Sequence, residues 1–575
     1  MTGQAGSSPG AQFVIGPLVD RLRVARGEVA ALAPWIATAE KAPDAFVEAL
    51  LRHLGQRRGN SMESSPGRLE AYQDLVVGQL ERRKPLLVEK STASERSMGA
   101  AELHAHATRL AATWADLGVA PGLALAIVMT PGIESTIAML AGLRIGVSIT
   151  WIPPLGKTFI LDRLLVLAPE FVVASESLHG TLEDYAALFL PLTSTRGVTA
   201  GPSRGFSYSG DDVVFRLYSP YSREPFDLFE LKANEVLSAL LRCAFFGIAG
   251  DGNDVLLWPE LDELTHEPLF TMSALLLGTA RVFCKKSELL AHPEWLASLK
   301  VTLLGVGPEL REMILRLGPE VAPAARAWLR DISEPFDSDR TYAFEKKVES
   351  ARWRRTDLFH VAAASGLLAF GVQGATPALS IFLPAPGLAW MLLDPVGTGK
   401  PATGTLGLFA RKVGDEPDRA AACFAFAKQG DGWMEAGSTI IGRWGRTYPR
   451  FEACSIVRAL PFVEEVDVVV SSRATNDGVV SMVVFVDPSI GSVNRHRGGW
   501  IKKLNEALAY ELGEEFLPDA YALLPVRPRY TEKGEFDSAW LSSEWVTGAL
   551  EEKANDPSFI LFARLARIFA PPRES

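Results

Sequence analysis

Few stretches of this chain carry residue types that could do chemistry at a useful spacing. The first is Val213 to Pro225, a short apolar run that breaks into Tyr218-Ser-Pro-Tyr-Ser-Arg-Glu224. This pattern predicts a buried strand ending in a loop. A loop after a strand can cradle phosphate when small residues let backbone N–H groups converge and a lysine adds charge. Here Tyr218, Ser219, Pro220, Tyr221, Ser222, Arg223 and Glu224 include no glycine and no lysine. Pro220 has no N–H to donate, and Glu224 repels a phosphate. The second stretch is Tyr530-Thr-Glu-Lys-Gly-Glu-Phe-Asp, where Lys533 and Glu535 stand two residues apart. His266 and His360 are the two histidines that could act as a base near a pocket. The eight histidines form no HExxH or HxxxH pattern, so no metal site is expected. Cys243, Cys284, Cys423 and Cys454 form no CxxC pair and read as buried free thiols of a reducing compartment.

The elements that must position these residues alternate between apolar strand runs and helical patterns, an α/β signature. The chain has 575 residues and a mass of 62.3 kDa, enough for two or more domains. A net charge of -10 and a pI near 5.5 argue against nucleic acid as a partner. No run of apolar residues is long enough to span a membrane, and Met1–Gln12 lacks the pattern of a signal peptide. The expected location is cytoplasmic. Helical spacing appears from Phe13 to about Gly55, with Phe46, Leu50, Leu51 and Leu54 on one stripe. Ala105 to Leu117 reads as a helix capped by Gly118. Val466–Ser472 and Val479–Asp487 read as strands joined by an Asp477–Gly478 turn. Trp500 to Leu512 reads as an amphipathic helix. Asp556-Pro-Ser-Phe starts a last helix, with Phe559, Phe562, Leu565 and Phe569 near one face.

Several motifs resemble one family over roughly residues 70 to 545. Met98-Gly-Ala-Ala-Glu-Leu-His resembles its entry to a first large helix. Val119-Ala-Pro-Gly-Leu-Ala-Leu-Ala-Ile-Val-Met, Glu134 to Val147, and Asp162 to Ala174 resemble its next strand and helix signatures. Asp254-Val-Leu-Leu-Trp-Pro, Leu276-Leu-Gly-Thr-Ala-Arg-Val-Phe, Lys300 to Arg311 and Leu329-Arg-Asp-Ile-Ser-Glu-Pro-Phe-Asp continue the likeness. Gly399 to Gly407, Gly432-Trp-Met-Glu-Ala-Gly-Ser and Ile441-Gly-Arg-Trp-Gly-Arg carry it to a hinge. The family is the adenylate-forming superfamily of acyl-CoA synthetases and adenylation domains, and the acetyl-/propionyl-CoA synthetase branch is the most similar.

The resemblance implies a large multi-sheet α/β domain at 67–441 and a small α+β domain at 442–548. A helical extension at 1–66 and a helical tail at 549–575 flank them. It also implies a reaction in which a carboxylate attacks the α-phosphate of ATP and a thiol then displaces AMP. That chemistry needs charge neutralisation at four places. The phosphate loop is the altered one above. The Mg²⁺ carboxylate position falls at Ala363 and Ala364, which offer a hard cation no side-chain oxygen. The ribose-binding Asp is replaced by Ser438. The lysine of the C-terminal loop is replaced by Glu535, with Lys533 two residues earlier. At about 4 Å and an effective dielectric of about 20, one charge pair is worth about 4 kcal/mol. The swing from attraction to repulsion is about twice that, on the order of five or six decades in rate. Arg443 is retained and reads as a bridge between domains, while Gly445 stands at the hinge where the family has Asp.

The expectation is therefore an acyl-CoA synthetase-like protein without ATP or Mg²⁺ chemistry. No cofactor is expected, with MgATP held weakly or not at all. The ligand would be CoA, an acyl-CoA or another acyl-thioester, and the partner a carrier protein or another protein. Two alternatives stand beside it: an ATP-independent acyltransferase between CoA and a carrier, and a divergent AMP-forming acid–CoA ligase.

Overall fold

The computed structural model describes residues 42–193, 204–218, 228–261, 266–331, 338–361, 366–373, 380–384, 388–393, 403–410, 422–429, 432–437, 442–443, 446–448, 450–473, 476–486, 493–530, 536–537, 540–541, 544–545 and 550. Helix α1 (Pro43–Arg58) opens the described chain. Its Phe46, Leu50, Leu51 and Leu54 are buried in the main core, and the Phe46 ring stacks on Phe246 at 6.4 Å. The apolar stripe seen in the sequence is thus a packing face. Strands β1 (Leu87–Lys90) and β2 (Glu95–Met98) follow. Helix α2 (Ala100–Asp116) starts earlier than its hydrophobic pattern suggested. Gly99 supplies the N-cap and donates its N–H to the Glu102 carboxylate at 3.2 Å. Gly118, at φ +96°, lets the chain leave the helix in the left-handed region.

The next strands are β3 (Ala124–Val128), β4 (Ser148–Ile152) and β5 (Phe171–Ala174), separated by helices α3 (Ile133–Ile145) and α4 (Lys157–Leu167). Strands β6 (Val213–Tyr218) and β7 (Leu228–Lys232) complete a five-stranded sheet in the order β5-β3-β4-β6-β7. Its first four strands are parallel, and β6 pairs antiparallel with β7 from Val213↔Lys232 to Tyr218↔Leu228.

A larger sheet is built from β1, β2 and the chain that follows. After helix α5 (Ala233–Arg242) come β8 (Val255–Leu257), α6 (Leu269–Leu277), β9 (Ala280–Cys284), β10 (Leu303–Gly305), α7 (Pro308–Leu317), β11 (Ala327–Asp331), α8 (Ser338–Glu349) and β12 (Arg354–Val361). Strands β13 (Gly366–Gln373), β14 (Ser380–Pro384), β15 (Leu388–Leu393), β16 (Thr403–Ala410), β17 (Ala422–Gln429) and β18 (Gly432–Gly437) extend it as antiparallel ribbons. The order is β15-β16-β17-β18-β14-β13-β12-β11-β10-β8-β9-β1-β2, with β1 and β8 to β12 mutually parallel.

The last unit has helix α9 (Arg450–Arg458), strands β19 (Val463–Arg473) and β20 (Asn476–Val486), helix α10 (Val493–Glu511) and strand β21 (Ala520–Leu524). The β19–β20 ladder runs on to Arg473↔Asn476, with a register shift between Ser471 and Arg473. The connection is therefore at 474–475, and Asp477–Gly478 lies inside β20 rather than forming the turn the sequence suggested. The shift absorbs one residue, which lets pairing continue past the dipeptide.

The layers follow from which face of each strand is apolar. Leu125 and Ile127 face one way, into a core that includes α2, α3, α5, α6 and one face of the large sheet at Leu256, Leu303 and Leu329. The opposite face of the large sheet, at Leu257, Val282, Leu304 and Trp328, is covered by α7 and α8. Ala126 and Val128 face the other way, into a core shared with α4 and with Ala453, Val457, Trp500, Leu504 and Leu508 of the C-terminal unit. The three-stranded sheet is also covered twice: Val466, Met482 and Val484 pack toward α9 and α10, and Val483, Phe485 and Leu524 toward Leu541 and Leu550. This is a mixed α/β fold of several sheets, with a small α+β unit at its C-terminal end.

Leu50 and Leu54 are each 1% exposed. Leu50→Ala and Leu54→Ala are each expected to cost about 2–5 kcal/mol and to lower the melting temperature by several degrees. Thermal melts indistinguishable from the parent would show that α1 is not part of the folded core.

Candidate active site

Parallel strands deliver their functional residues at their carboxyl ends, where each chain must turn toward a helix. In the large sheet those ends belong to β1 and β8 to β12, and β8, β10 and β11 supply the residues that follow. Trp258 follows β8 directly, and its ring lies over Gly305 at the end of β10. A Cβ on Gly305 would meet the Trp258 ring at 2.0 Å, so only glycine fits. The indole centroid is 5.2 Å from the His266 ring and 5.4 Å from Phe270, the latter edge-on. His266 Nε2 lies 3.2 Å from Asp331 Oδ2 at the end of β11, with side chains 1% and 5% exposed. A carboxylate beside one ring nitrogen can orient an imidazole.

Two further carboxylates lie nearby in the sequence and are buried. Glu260 Oε1 accepts the Glu309 N–H at 3.2 Å in the first turn of α7. Burial pushes its carboxyl up to about 7, against the pull of Lys286 and with a further push from Glu309. Lys286 Nζ in turn sits 3.3 Å from Glu309. Glu267 Oε1 accepts the Thr271 hydroxyl at 2.8 Å and lies 3.6 Å from Arg281 Nη2. Burial raises the Glu267 carboxyl, and the Arg281 guanidinium opposes it. Arg281 is itself held between the Phe270 and Phe283 rings, at 5.4 and 5.2 Å.

Of the residues singled out from sequence, His266 is placed here and gains Asp331 as its partner. His360 is the seventh residue of β12, two positions beyond the Leu358 that pairs with Asp331. Tyr218 ends β6, is buried, and donates its hydroxyl to the Arg163 carbonyl. Burial drives its phenol well above the usual range. Ser219, Pro220, Tyr221, Ser222, Arg223 and Glu224 lie outside the described residues, in the connection between Tyr218 and Leu228. Ala363 and Ala364 lie outside them too, between Val361 and Gly366, which pair as the ends of β12 and β13. Ser438 follows β18 and is likewise outside. Arg443 belongs to a short ribbon in which Gly442–Arg443 pairs with Arg446–Thr447, and Gly445 lies outside the described residues. Lys533 and Glu535 are outside the described residues, between Tyr530 and Phe536, which bridge to each other. The Phe536 ring packs 5.7 Å from Phe485, on the face of the three-stranded sheet opposite α9 and α10.

Asp331, Glu260 and Trp258 were not singled out by sequence reasoning. Their signal was positional: each sits at or just past the end of an apolar run. The thiols of Cys243, Cys284 and Cys454 are not activated nucleophiles. Cys243 and Cys284 are pushed up to about 12 by burial, and Cys454 is raised as well. No cluster of three or more His, Cys, Asp or Glu among the described residues could hold a metal ion. No described helix is long and apolar enough to cross a membrane.

No protein-family model matches the sequence, and no curated protein matches it. Solved structures do match the fold. The amide bond synthetase McbA from Marinactinospora thermotolerans is similar at TM-score 0.66 and 14% identity, over 83% of this chain and 99% of that one. An artificially fused adenylation–PCP di-domain, NpsA-ThdA from Klebsiella oxytoca, is similar at TM-score 0.62 and 14% identity, over 79% and 94%. An acyl-CoA synthetase from Brucella canis is similar at TM-score 0.54 and 16% identity, over 88% and 97%. The chain has the fold of adenylation domains and acyl-CoA synthetases.

The Glu260 carboxyl gives a pH-dependent prediction. Its value in the folded protein is raised from an ordinary 4.5 to about 7. The folded state therefore binds the proton more tightly than the unfolded chain, and this contribution to stability is complete below the ordinary value. It is lost as pH rises through the folded value. Glu260→Gln cannot ionise, so the melting temperature of the variant minus that of the parent should increase between about pH 5 and about pH 8. A difference that stays flat across that range would refute the assignment.

Proposed function

We propose that this chain is a non-adenylating protein of the acyl-CoA synthetase fold, holding an acyl-thioester, a carrier protein or another protein partner without making acyl-AMP. What supports the reading is the shared fold together with the residues that stand where the motif resemblance places the four nucleotide positions. The fold likeness extends over 79–88% of the chain in the three structures described. Against it stand Pro220, Tyr221 and Glu224 in the phosphate connection, Ala363 and Ala364 at the metal position, Ser438 at the ribose position and Glu535 at the lysine position. Each replacement removes a favourable contact or adds a like charge to a highly charged ligand. In this reading residues 67–441 are the binding unit and 442–548 the small unit, in a cytoplasmic setting. A carrier protein is the partner favoured by analogy with the adenylation–PCP di-domain.

The packing of the small unit is consistent with this. Its helices α9 and α10 meet the large unit, whereas the Tyr530–Phe536 bridge packs on the opposite face of the three-stranded sheet.

The His266–Asp331 pair favours a second reading, ATP-independent acyl transfer between CoA and a carrier. An imidazole oriented by a buried carboxylate is suited to take a proton from an incoming thiol. Exchange of an acyl group between CoA and a carrier thiol conserves the thioester and needs no nucleotide.

Calorimetry with ATP and Mg²⁺, followed by hydroxamate trapping with a panel of acids, should give no binding in the micromolar range and no acid-dependent AMP. Micromolar affinity, or AMP formation abolished by Glu535→Ala or Lys533→Ala, would make the chain a divergent acid–CoA ligase instead. Thioester exchange assayed without ATP tests the second reading. If exchange occurs, His266→Ala and Asp331→Asn should each lower kcat roughly a hundredfold or more. Exchange that both variants leave intact would remove the pair from the chemistry.

A further inference from the structure

Helix α4 meets the C-terminal unit through polar and close backbone contacts as well as apolar ones. Phe159, Ile160 and Leu164 turn inward against Ala126, Val128 and Val172 of the five-stranded sheet. Three other features of α4 and its cap meet the C-terminal unit. Gly156, the N-cap, approaches the end of α10 so closely that a Cβ would lie 1.8 Å from the Glu511 carbonyl oxygen and 2.5 Å from Leu512 Cα. Its backbone is extended, at φ -147° and ψ 168°, so glycine is required here by space. Thr158 donates its hydroxyl to the Glu511 carboxylate. Arg163 Nη2 donates to Glu452 Oε1 at 2.7 Å, across 289 residues of sequence, with side chains 6% and 8% exposed.

Arg163 also faces the other way. Its Nη1 donates to the Phe159 carbonyl at 3.1 Å, and its guanidinium lies 3.4 Å over the Phe159 ring and 5.5 Å from the Tyr218 ring. Its carbonyl receives the Tyr218 hydroxyl. One residue therefore touches α9 of the C-terminal unit and the last residue of β6, where the chain enters the connection 219–227.

We infer that α4 is a latch: the Arg163–Glu452 pair, seated by the close approach at Gly156, holds the C-terminal unit docked and couples that docking to the Tyr218 end of β6. The inference does not rest on the proposed loss of nucleotide chemistry; an active ligase with this latch would show the same coupling. When α9 leaves, Arg163 loses the Glu452 carboxylate that fixes its guanidinium, and the side chain is released from its docked position. Tyr218 stacks against that guanidinium and bonds to the same residue's backbone, so the rearrangement reaches β6.

Hydrogen exchange and small-angle scattering on the full-length chain test this. Glu452→Gln keeps the shape of the side chain and removes its charge. It should speed amide exchange roughly tenfold or more both in α9 and at the Tyr218 end of β6, with an increased radius of gyration. Exchange that rises in α9 alone would overturn the coupling, and exchange and scattering unchanged throughout would overturn the latch. The double exchange Arg163→Glu with Glu452→Arg should recover part of the protection lost in either single variant; protection no better than in the singles would show that the pair does not act as a pair. Gly156→Ala leaves every charge in place and should also expand the molecule. An unexpanded Gly156→Ala protein would remove Gly156 from the seat of the latch.

Discussion

Parallel strands bury both of their faces, and the rest of this molecule is arranged to satisfy that requirement. In β3, Leu125 and Ile127 need cover on one side and Ala126 and Val128 on the other. In the large sheet, Leu256 and Leu303 face one layer while Leu257 and Leu304 face another. Two such sheets share the helices between them, which is why α6 is buried from Leu269 to Leu277 and has no solvent-facing side. The outer faces need their own helices. On one side α7 and α8 complete the stack. On the other α4 does so only in part, and the C-terminal unit continues the same core.

A shared middle layer has a consequence for polar groups. Any charge that enters it must bring a partner or an aromatic face, because water is excluded. Arg281 enters from β9 and has Glu267, Phe270 and Phe283. His266 enters just before α6 and has Asp331 from the end of β11. Glu260 is buried at the end of β8 and is held by the first turn of α7, a favourable place for a carboxylate. The residues that could do chemistry at this end of the sheet are thus bound to their neighbours. Substrate binding at the strand ends would have to work around pairs that also maintain packing.

What the sequence made legible was local. The apolar runs of β3 and β8, the stop at Gly118 and the stripe on α1 are all features of neighbouring residues, and periodicity reads them well. The β19–β20 turn was misplaced because Asp477–Gly478 is a strong local turn signal, yet continued pairing to Arg473↔Asn476 outweighed it. The partnership of His266 with Asp331 was not legible, because a carboxylate sixty-five residues away (331 − 266) enters no local pattern. The same holds for Glu452 and Arg163, and for Gly156, whose reason is the end of α10 and not its own backbone. The motif likeness recovered the fold because it sampled many short local patterns at once. It could not report which side chains those patterns bring into contact.

The interface on α4 illustrates how apolar and polar contacts divide their roles. The apolar cluster that α4 shares with Trp500, Leu504 and Leu508 is the part of docking that removes area from water. Apolar contact is tolerant of sliding and rotation. A buried ion pair contributes little net stability once its desolvation is counted, but it is satisfied in few geometries. Glycine at 156 then sets how closely the two helices approach, since even a methyl group there collides with backbone that cannot move aside. Area holds the C-terminal unit on, Gly156 fixes its distance and Arg163–Glu452 fixes its orientation. Arg163 also receives the Tyr218 hydroxyl at its backbone carbonyl and lays its guanidinium beside the Tyr218 ring, so orientation and the end of β6 meet at one residue.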